Sequence, residues 1–229
     1  VIEVTVKSPT AKKSRSMVFE LLVSDQPEKD KSPDPDSKFW NWSEKMGVSS
    51  SRFPSKEKIE IDRSHKAMSV NLDACISCNL CVRACREVQV NDVIGMAYRG
   101  STAKIIFDLD DPMGESTCVA CGECVQACPT GALMESSLVN NKGIRVTYAD
   151  KVVESVCPYC GVGCKTEVSV KDDKIIKIDG KDGPANENRL CVKGRFGFDY
   201  INQDGRITKP LIRKKDSPTD VLSFPYSSF

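Results

Sequence analysis

The 229-residue chain has one histidine, no long apolar run and almost no net charge, with 33 Lys and Arg set against 32 Asp and Glu. Each shortage removes a class of function. A bilayer span needs about 20 consecutive apolar residues, so no membrane span is expected. Without an excess of either sign, no global field steers the chain toward nucleic acid or an anionic surface. No secretory signal is recognisable, which points to the cytoplasm and away from a disulfide framework. Hydrophobic residues at 40% and charged residues at 28% are ordinary for a soluble chain of one to two domains.

Cysteine is the residue present in excess, and none of the twelve is left over. Cys75, Cys78, Cys81 and Cys85 are spaced C-x2-C-x2-C-x3-C. Cys118, Cys121, Cys124 and Cys128 repeat that spacing and are followed by Pro129. Cys157, Cys160 and Cys164 are completed by the distant Cys191. A 4Fe-4S cubane directs its irons to tetrahedral corners, so three cysteines on a short loop reach three of them and the fourth ligand comes from elsewhere. The first two runs have the spacing of two-cluster bacterial ferredoxins, in which the last cysteine of each run crosses to the other cluster. On that pattern Cys75, Cys78, Cys81 and Cys128 hold one 4Fe-4S cluster, Cys118, Cys121, Cys124 and Cys85 a second, and Cys157, Cys160, Cys164 and Cys191 a third. Gly122 is expected to bring backbone N–H groups close to the inorganic sulfides, and Pro129 to stop the chain from continuing regularly. Structural zinc is the competing reading and bears most on the third set, whose spacing is less distinctive.

Along the chain, VIEVTV at 1–6 alternates like a strand, and Val18, Leu21 and Leu22 mark a helix around 15–24 that ends before Pro27. Residues 25–37 have the charged, proline-rich composition of an exposed loop. A second helix is expected over 37–46, with Phe39, Trp42 and Met46 on one face and Gly47 as its stop. Phe39, Trp40 and Trp42 read as a packed face or a partner-docking patch. Between the two ferredoxin runs, KIIF at 104–107 reads as a strand. Four β-type segments follow, at 144–148, 152–156, 167–170 and 174–178, the last two joined as a hairpin through residues 171–173. Gly161 and Gly163 are expected to give the third cysteine loop a close backbone approach to its cluster. His65, ten residues before the first ligand, is read as a hydrogen-bonding or packing residue, with a ligand role as the alternative. Arg83, Arg86, Arg189 and Arg195 lie near cysteines in sequence, where they either offset cluster charge or are simply solvated.

Residues 75–100, 118–133, 155–168 and 190–200 together resemble the N-terminal part of the alpha subunit of NAD-dependent, molybdenum- or tungsten-containing formate dehydrogenases. The sharpest part is SVCPYCGVGCKTEV followed by LCVKGRFGFDY, which resembles the small cluster domain that opens the molybdopterin oxidoreductase fold. The resemblance implies an α+β chain with four parts. Residues 1–64 would be a remnant strand of a 2Fe-2S domain plus a helical linker, and 65–148 a two-cluster bacterial-ferredoxin-like domain. Residues 149–206 would be a small β-rich 4Fe-4S domain, and 207–229 the start of the molybdopterin domain. It also implies that Lys193 lies between the third cluster and a pterin of the cofactor. Electrons from formate, oxidised to carbon dioxide, would pass through the clusters to a flavin- and NAD-binding iron-sulfur partner subunit. In the full-length parent the cofactor would be a bis-molybdopterin guanine dinucleotide with Mo or W.

Two departures limit the resemblance. Ser24 to Phe53 has neither His nor Cys, so a further cluster held there in some relatives is not expected. The closing stretch SPTDVLSFPYSSF no longer follows the family pattern, which suggests a truncated or frameshifted fragment; no catalytic residue is expected in the chain. The relay segment of a respiratory NADH dehydrogenase large subunit, that of an iron hydrogenase, and a free-standing ferredoxin-like carrier are the rival readings.

Overall fold

In the computed structural model, which describes residues 3–207 and two short strand segments at 211–213 and 226–228, the first helix is set by Ser8. Its hydroxyl accepts the Ala11 N–H at 3.2 Å. Pro9 takes the first helical turn, where its missing N–H would have no partner anyway. Helix α1 therefore runs Pro9–Ser24, well ahead of the start that Val18, Leu21 and Leu22 suggest. Its packed face also differs from expectation: Val23 is buried with Phe19 and Leu22 beside it, whereas Val18 and Leu21 are exposed. Residues 3–6 do not form the expected strand. They pair with no strand among the described residues, Val4 and Val6 are exposed, and a lone strand has no ladder to satisfy its backbone. Val1 and Ile2 lie outside the described residues, as do 217–225 and 229 of the closing stretch.

Helix α2, Lys38–Met46, is capped by the Ser37 hydroxyl, which accepts the Trp40 N–H, and closed by Gly47 at φ 70°. It buries Phe39, Trp40 and Ser43 and leaves Trp42 exposed, so the buried stripe is turned by about one residue from the expected one. Phe39 anchors it, stacking on Phe19 at 5.9 Å and meeting Trp40 edge-on at 5.3 Å. The 25–37 segment is not a simple exposed loop: Ser32 and Pro33 are fully buried, the Pro33 carbonyl accepts the Arg145 N–H at 2.8 Å, and Arg145 pairs with Asp34 at 3.2 Å. Polar composition misreads it because its backbone is covered by a remote part of the chain.

The ferredoxin-like unit is built from two antiparallel strand pairs and two short helices. Strand β1 (Met68–Val70) pairs with β4 (Leu133–Glu135), and β2 (Ile94–Ala97) pairs with β3 (Lys104–Phe107). Helix α3 (Leu80–Arg83) runs on through a π turn over Ala84–Val88, and α4 spans Glu123–Ala127. Helices this short do not hold in isolation. They are held by a core of Met68, Val70, Val82, Val93, Ile94, Ile105, Phe107, Met113, Val125 and Leu133, in which Cys81, Cys85 and Cys124 are themselves members.

After it comes a three-stranded antiparallel meander, β5 (Lys151–Val156), β6 (Lys165–Lys171) and β7 (Lys174–Gly180). Asp172 and Asp173 turn the β6–β7 hairpin with both φ angles positive, 49° and 57°, the backbone of a type I′ turn. The expected strand at 144–148 is absent. Only Arg145 bridges to Val139, because the Arg145 and Val146 N–H groups are taken by Pro33 and Leu138 carbonyls. Helix α5 (Val192–Phe196) follows the last cysteine, and β8 (Leu211–Arg213) pairs with β9 (Tyr226–Ser228).

Candidate iron-sulfur centres

The two ferredoxin runs adopt one loop conformation twice. Ser77 and Asn79 in the first have φ of 53° and 61°; Ala120 and Gly122, at the equivalent positions of the second, have φ of 55° and 73°. This left-handed backbone turns amides onto the first thiol of each run: Ser77 N–H donates to Cys75 Sγ and Ala120 N–H to Cys118 Sγ, both at 3.4 Å. Val93 N–H donates to Cys85 Sγ at 3.3 Å. Such donors favour the charged thiolate over the thiol.

Cys75, Cys78, Cys81 and Cys128 line one pocket, with Ile76, Ile105, Ala132 and Leu133 as its apolar walls. Burial and the neighbouring Cys128, Cys75 and Cys78 push the Cys81 thiol up to about 12. The second gathering contains Cys85 with Cys118, Cys121 and Cys124. Burial pushes Cys124 well above the usual thiol range, and Cys121, Cys118, Cys81 and Cys85 add to the shift; Cys85 is likewise a neighbour of Cys118 and Cys121. Cys81 and Cys124 belong to one buried cluster, which joins the two gatherings. Among the described residues, no three or more His, Cys, Asp or Glu close on a point where one metal ion would sit. The first four thiols stand around the pocket just described.

The third set is more open. Cys157 N–H donates to the Cys164 carbonyl at 2.8 Å, tying the loop's ends together. Burial raises the Cys164 thiol, and Cys157, Cys160 and Cys191 are the charges around it, so the structure brings these four together as well. Cys160 and Cys191 are exposed. A Cβ on Gly161 or Gly163 would meet no atom within 4 Å, while one on Gly194 would lie 3.6 Å from Cys157 Sγ. Space therefore lies beside the loop, and α5 closes on the Cys157 side. Four thiols gathered around one apolar-walled pocket in the first set, and four gathered on a more open loop in the third, form donor sets that fit a 4Fe-4S cluster.

Arg195, one of the four arginines read from sequence, is set apart from the others. Arg83 and Arg86 are exposed and paired with Glu87 and Asp92; Arg189 lies 3.8 Å from Glu187 at the surface. The Arg195 side chain is 0% exposed. It reaches Glu123 at 2.8 Å, Asp179 at 2.9 Å, Gln126 Oε1 at 2.6 Å and the Cys121 carbonyl at 2.9 Å. Gly122 has a further reason to lack a side chain. A Cβ there would overlap Arg195 Cδ and lie 2.6 Å from Nε, so the glycine makes room for a guanidinium. Glu123, Gln126 and Asp179 were not singled out by sequence reasoning. A signal existed: Gly122-Glu123 stands where the first run has Asn79-Leu80, and Gln126 where it has Arg83, in two runs of identical cysteine spacing.

Beyond Asp179 the buried charges continue. Lys177 sits 2.8 Å from Asp179 and 3.4 Å from Glu135. Burial raises the Glu135 carboxyl, and although burial works against the Lys177 charge, Glu135 and Asp179 leave its pKa raised. Lys193 stands exposed on α5, two residues after Cys191. His65 is a hydrogen-bonding residue here, with Nδ1 accepting the Ala67 N–H at 3.1 Å.

Residues 74–132 match the family of the 4Fe-4S dicluster domain, and residues 150–203 match the molybdopterin oxidoreductase Fe4S4 domain. The chain carries both kinds of iron-sulfur domain. It is 35% identical to "Probable oxidoreductase YjgC" of Bacillus subtilis, a match covering 68% of this chain and 19% of the relative. It is also 35% identical to "Putative formate dehydrogenase SH0748" of Staphylococcus haemolyticus, over 62% and 18% of the two chains. The chain therefore spans less than a fifth of the length of these curated relatives. In fold it is similar to a chain in the crystal structure of an NAD+-reducing NiFe-hydrogenase, with a TM-score of 0.51, 24% identity, and coverage of 61% of this chain and 62% of that one. Among the described residues no helix is long and apolar enough to cross a membrane.

Proposed function

We propose that this chain is the electron-relay portion of a formate dehydrogenase-type alpha subunit in the cytoplasm, holding three 4Fe-4S clusters on its twelve cysteines. The observation that carries the reading is the pocket walled by Cys75, Cys78, Cys81 and, from the other run, Cys128. A thiol contributed across the repeat is what a two-cluster ferredoxin unit requires. Cys118, Cys121, Cys124 and Cys85 take the second cluster, and Cys157, Cys160, Cys164 and Cys191 the third. The division at 1–64, 65–148, 149–206 and 207–229 belongs to the same reading.

When bound, each cluster supplies one-electron redox chemistry. The chain's own residues do the rest. Burial raises the Cys75 and Cys118 thiols, and the Ser77 and Ala120 amides partly offset it by favouring thiolate charge; the Val93 amide donates to Cys85 Sγ, and Ile76, Ile105 and Leu133 limit water at the first site. In the complete enzyme, formate would give carbon dioxide, a proton and two electrons at a bis-molybdopterin guanine dinucleotide with Mo or W. A flavin- and NAD-binding iron-sulfur subunit would receive the electrons. Lys193, exposed beside Cys191, is the residue we assign to the pterin side.

The test is reduction of the anaerobically reconstituted chain with dithionite, followed by absorbance and electron paramagnetic resonance. Bleaching of a broad visible band, with signals of reduced 4Fe-4S centres, is the expected result. A colourless protein containing zinc would overturn it. The coding sequence downstream of Phe229 tests the parent: a pterin-binding domain supports the formate dehydrogenase assignment, and an unrelated continuation removes it.

A further inference from the structure

We propose that Arg195 is a positioning residue that clamps the Cys191 segment onto the Cys121–Cys128 segment, fixing the third cluster site against the second so that one electron passes between them. The proposal rests on the relay reading for its clusters, but the clamp is a property of the chain. The exchange forms and breaks no bond: one site is oxidised by one electron as the other is reduced.

Arg195 belongs to both sites at once. Its own N–H donates to the Cys191 carbonyl at 3.1 Å, and its Nε donates to the Cys121 carbonyl at 2.9 Å. One residue and two hydrogen bonds therefore connect a thiol segment of the third set with one of the second. The remaining guanidinium donors are spent on Glu123 and Gln126 of α4 and on Asp179 of β7, three partners from two domains. Neighbouring contacts seat the same segments together. Leu190 N–H donates to Glu123 Oε1 at 2.9 Å, Gln126 Nε2 donates to the Asn188 carbonyl at 2.9 Å, and Gln89 Nε2 reaches the Leu190 carbonyl at 3.4 Å.

The repeat supplies the internal control. Asn79 has nearly the left-handed φ of Gly122, 61° against 73°, so that backbone alone does not require a glycine. What Asn79 lacks is a guanidinium where its Cβ stands, and Leu80, the counterpart of Glu123, is 41% exposed. Only the second run carries the Gly-Glu pair, and it is the run against which the third domain is docked. Lysine does not substitute for this role, because its point charge lacks the planar fork that reaches several acceptors at once.

The test uses the full chain, with and without reconstituted clusters, as wild type, Arg195→Met, Arg195→Lys and Gly122→Ala. In Arg195→Met, amide exchange is expected to rise together in residues 121–128 and 188–197 and to stay unchanged in 75–85. In the loaded, fully reduced protein the same variant loses the magnetic interaction between the second and third centres. The midpoint potential of the second also falls, because the buried positive charge beside Cys121 and Glu123 is lost. Arg195→Lys restores the potential but not the interaction. Gly122→Ala weakens the interaction with all charges kept, and it carries the test if Arg195→Met fails to fold. Wild-type exchange and wild-type magnetic interaction in Arg195→Met and Gly122→Ala would overturn the clamp, as would full rescue of both readouts by lysine. A wild-type chain that takes up no iron removes the relay reading, while the exchange arm still decides the clamp.

Discussion

The ferredoxin-like unit buries three of its thiols and the meander domain buries none. Cys81, Cys85 and Cys124 belong to the hydrophobic core although Cys78 is exposed, whereas Cys157 and Cys164 are half-buried, Cys160 and Cys191 are exposed, and the strands beside them pair without them. In the first region three ligands are also core residues, so filling the site and folding the unit are coupled. In the second, strand pairing supplies the fold and the site is added to it. Solvent exposure and burial are among the factors that set cluster potential, so the difference bears on electron transfer as well as on stability.

The largest effect that separates the two regions is expected from the ligands. Cys124→Ser should remove about four of about twelve irons and, by placing a hydroxyl in a fully buried apolar site, destabilise the ferredoxin-like unit by about 1–3 kcal/mol. Cys160→Ser should remove the same share of iron and leave the meander folded. Iron content with amide exchange of the two regions checks both, and equal loss of structure in the two variants would erase the distinction. Next is the joint between the regions. Arg195→Met leaves the buried Glu123 carboxylate without its cation while Asp179 keeps Lys177, and breaking such a buried pair destabilises by about 3–5 kcal/mol; a denaturant titration read in each region should show it in both. Smaller again is the contrast between the repeats. Gly122→Ala forces a Cβ both into a left-handed backbone, at about 1–2 kcal/mol, and into Arg195, whereas Asn79→Ala adds no Cβ to a backbone that already carries one and should cost less.

Much of this was legible in the sequence, for reasons that are specific. The thiol sets, the β6–β7 hairpin with its Asp-Asp turn and the Gly47 stop of α2 are encoded locally, in spacing and turn chemistry. The buried 32–33 segment, the missing strand at 144–148 and the real packed face of α1 depend on what arrives from elsewhere: Arg145 on Pro33, and Phe39 on Phe19. Arg195 shows both sides. Its motif was readable, but its burial was not, because Glu123, Gln126 and Asp179 are 72, 69 and 16 residues away. The mismatches between the runs, Asn79-Leu80 against Gly122-Glu123 and Arg83 against Gln126, are the local trace of it.

The smallest expected effect lies away from every cysteine, in the turn before β1. Burial lowers the His65 pKa below its ordinary value, with the nearby Asp62 charge opposing, so the folded state binds fewer protons than the unfolded one. Stability should therefore be full above the ordinary histidine pKa of about 6.5 and decline as pH falls from there toward the depressed folded value. His65→Gln should flatten that part of a pH-dependent melting curve; an unchanged slope would assign the dependence to another group.

Iron with acid-labile sulfide per chain after anaerobic reconstitution measures most directly whether three cubane clusters are held in two unlike settings. About twelve of each are expected, with the more open Cys157–Cys191 site the first to give up its iron to a chelator. Stoichiometric zinc without labile sulfide, or iron filling the more open site alone, would contradict the three-cluster assignment.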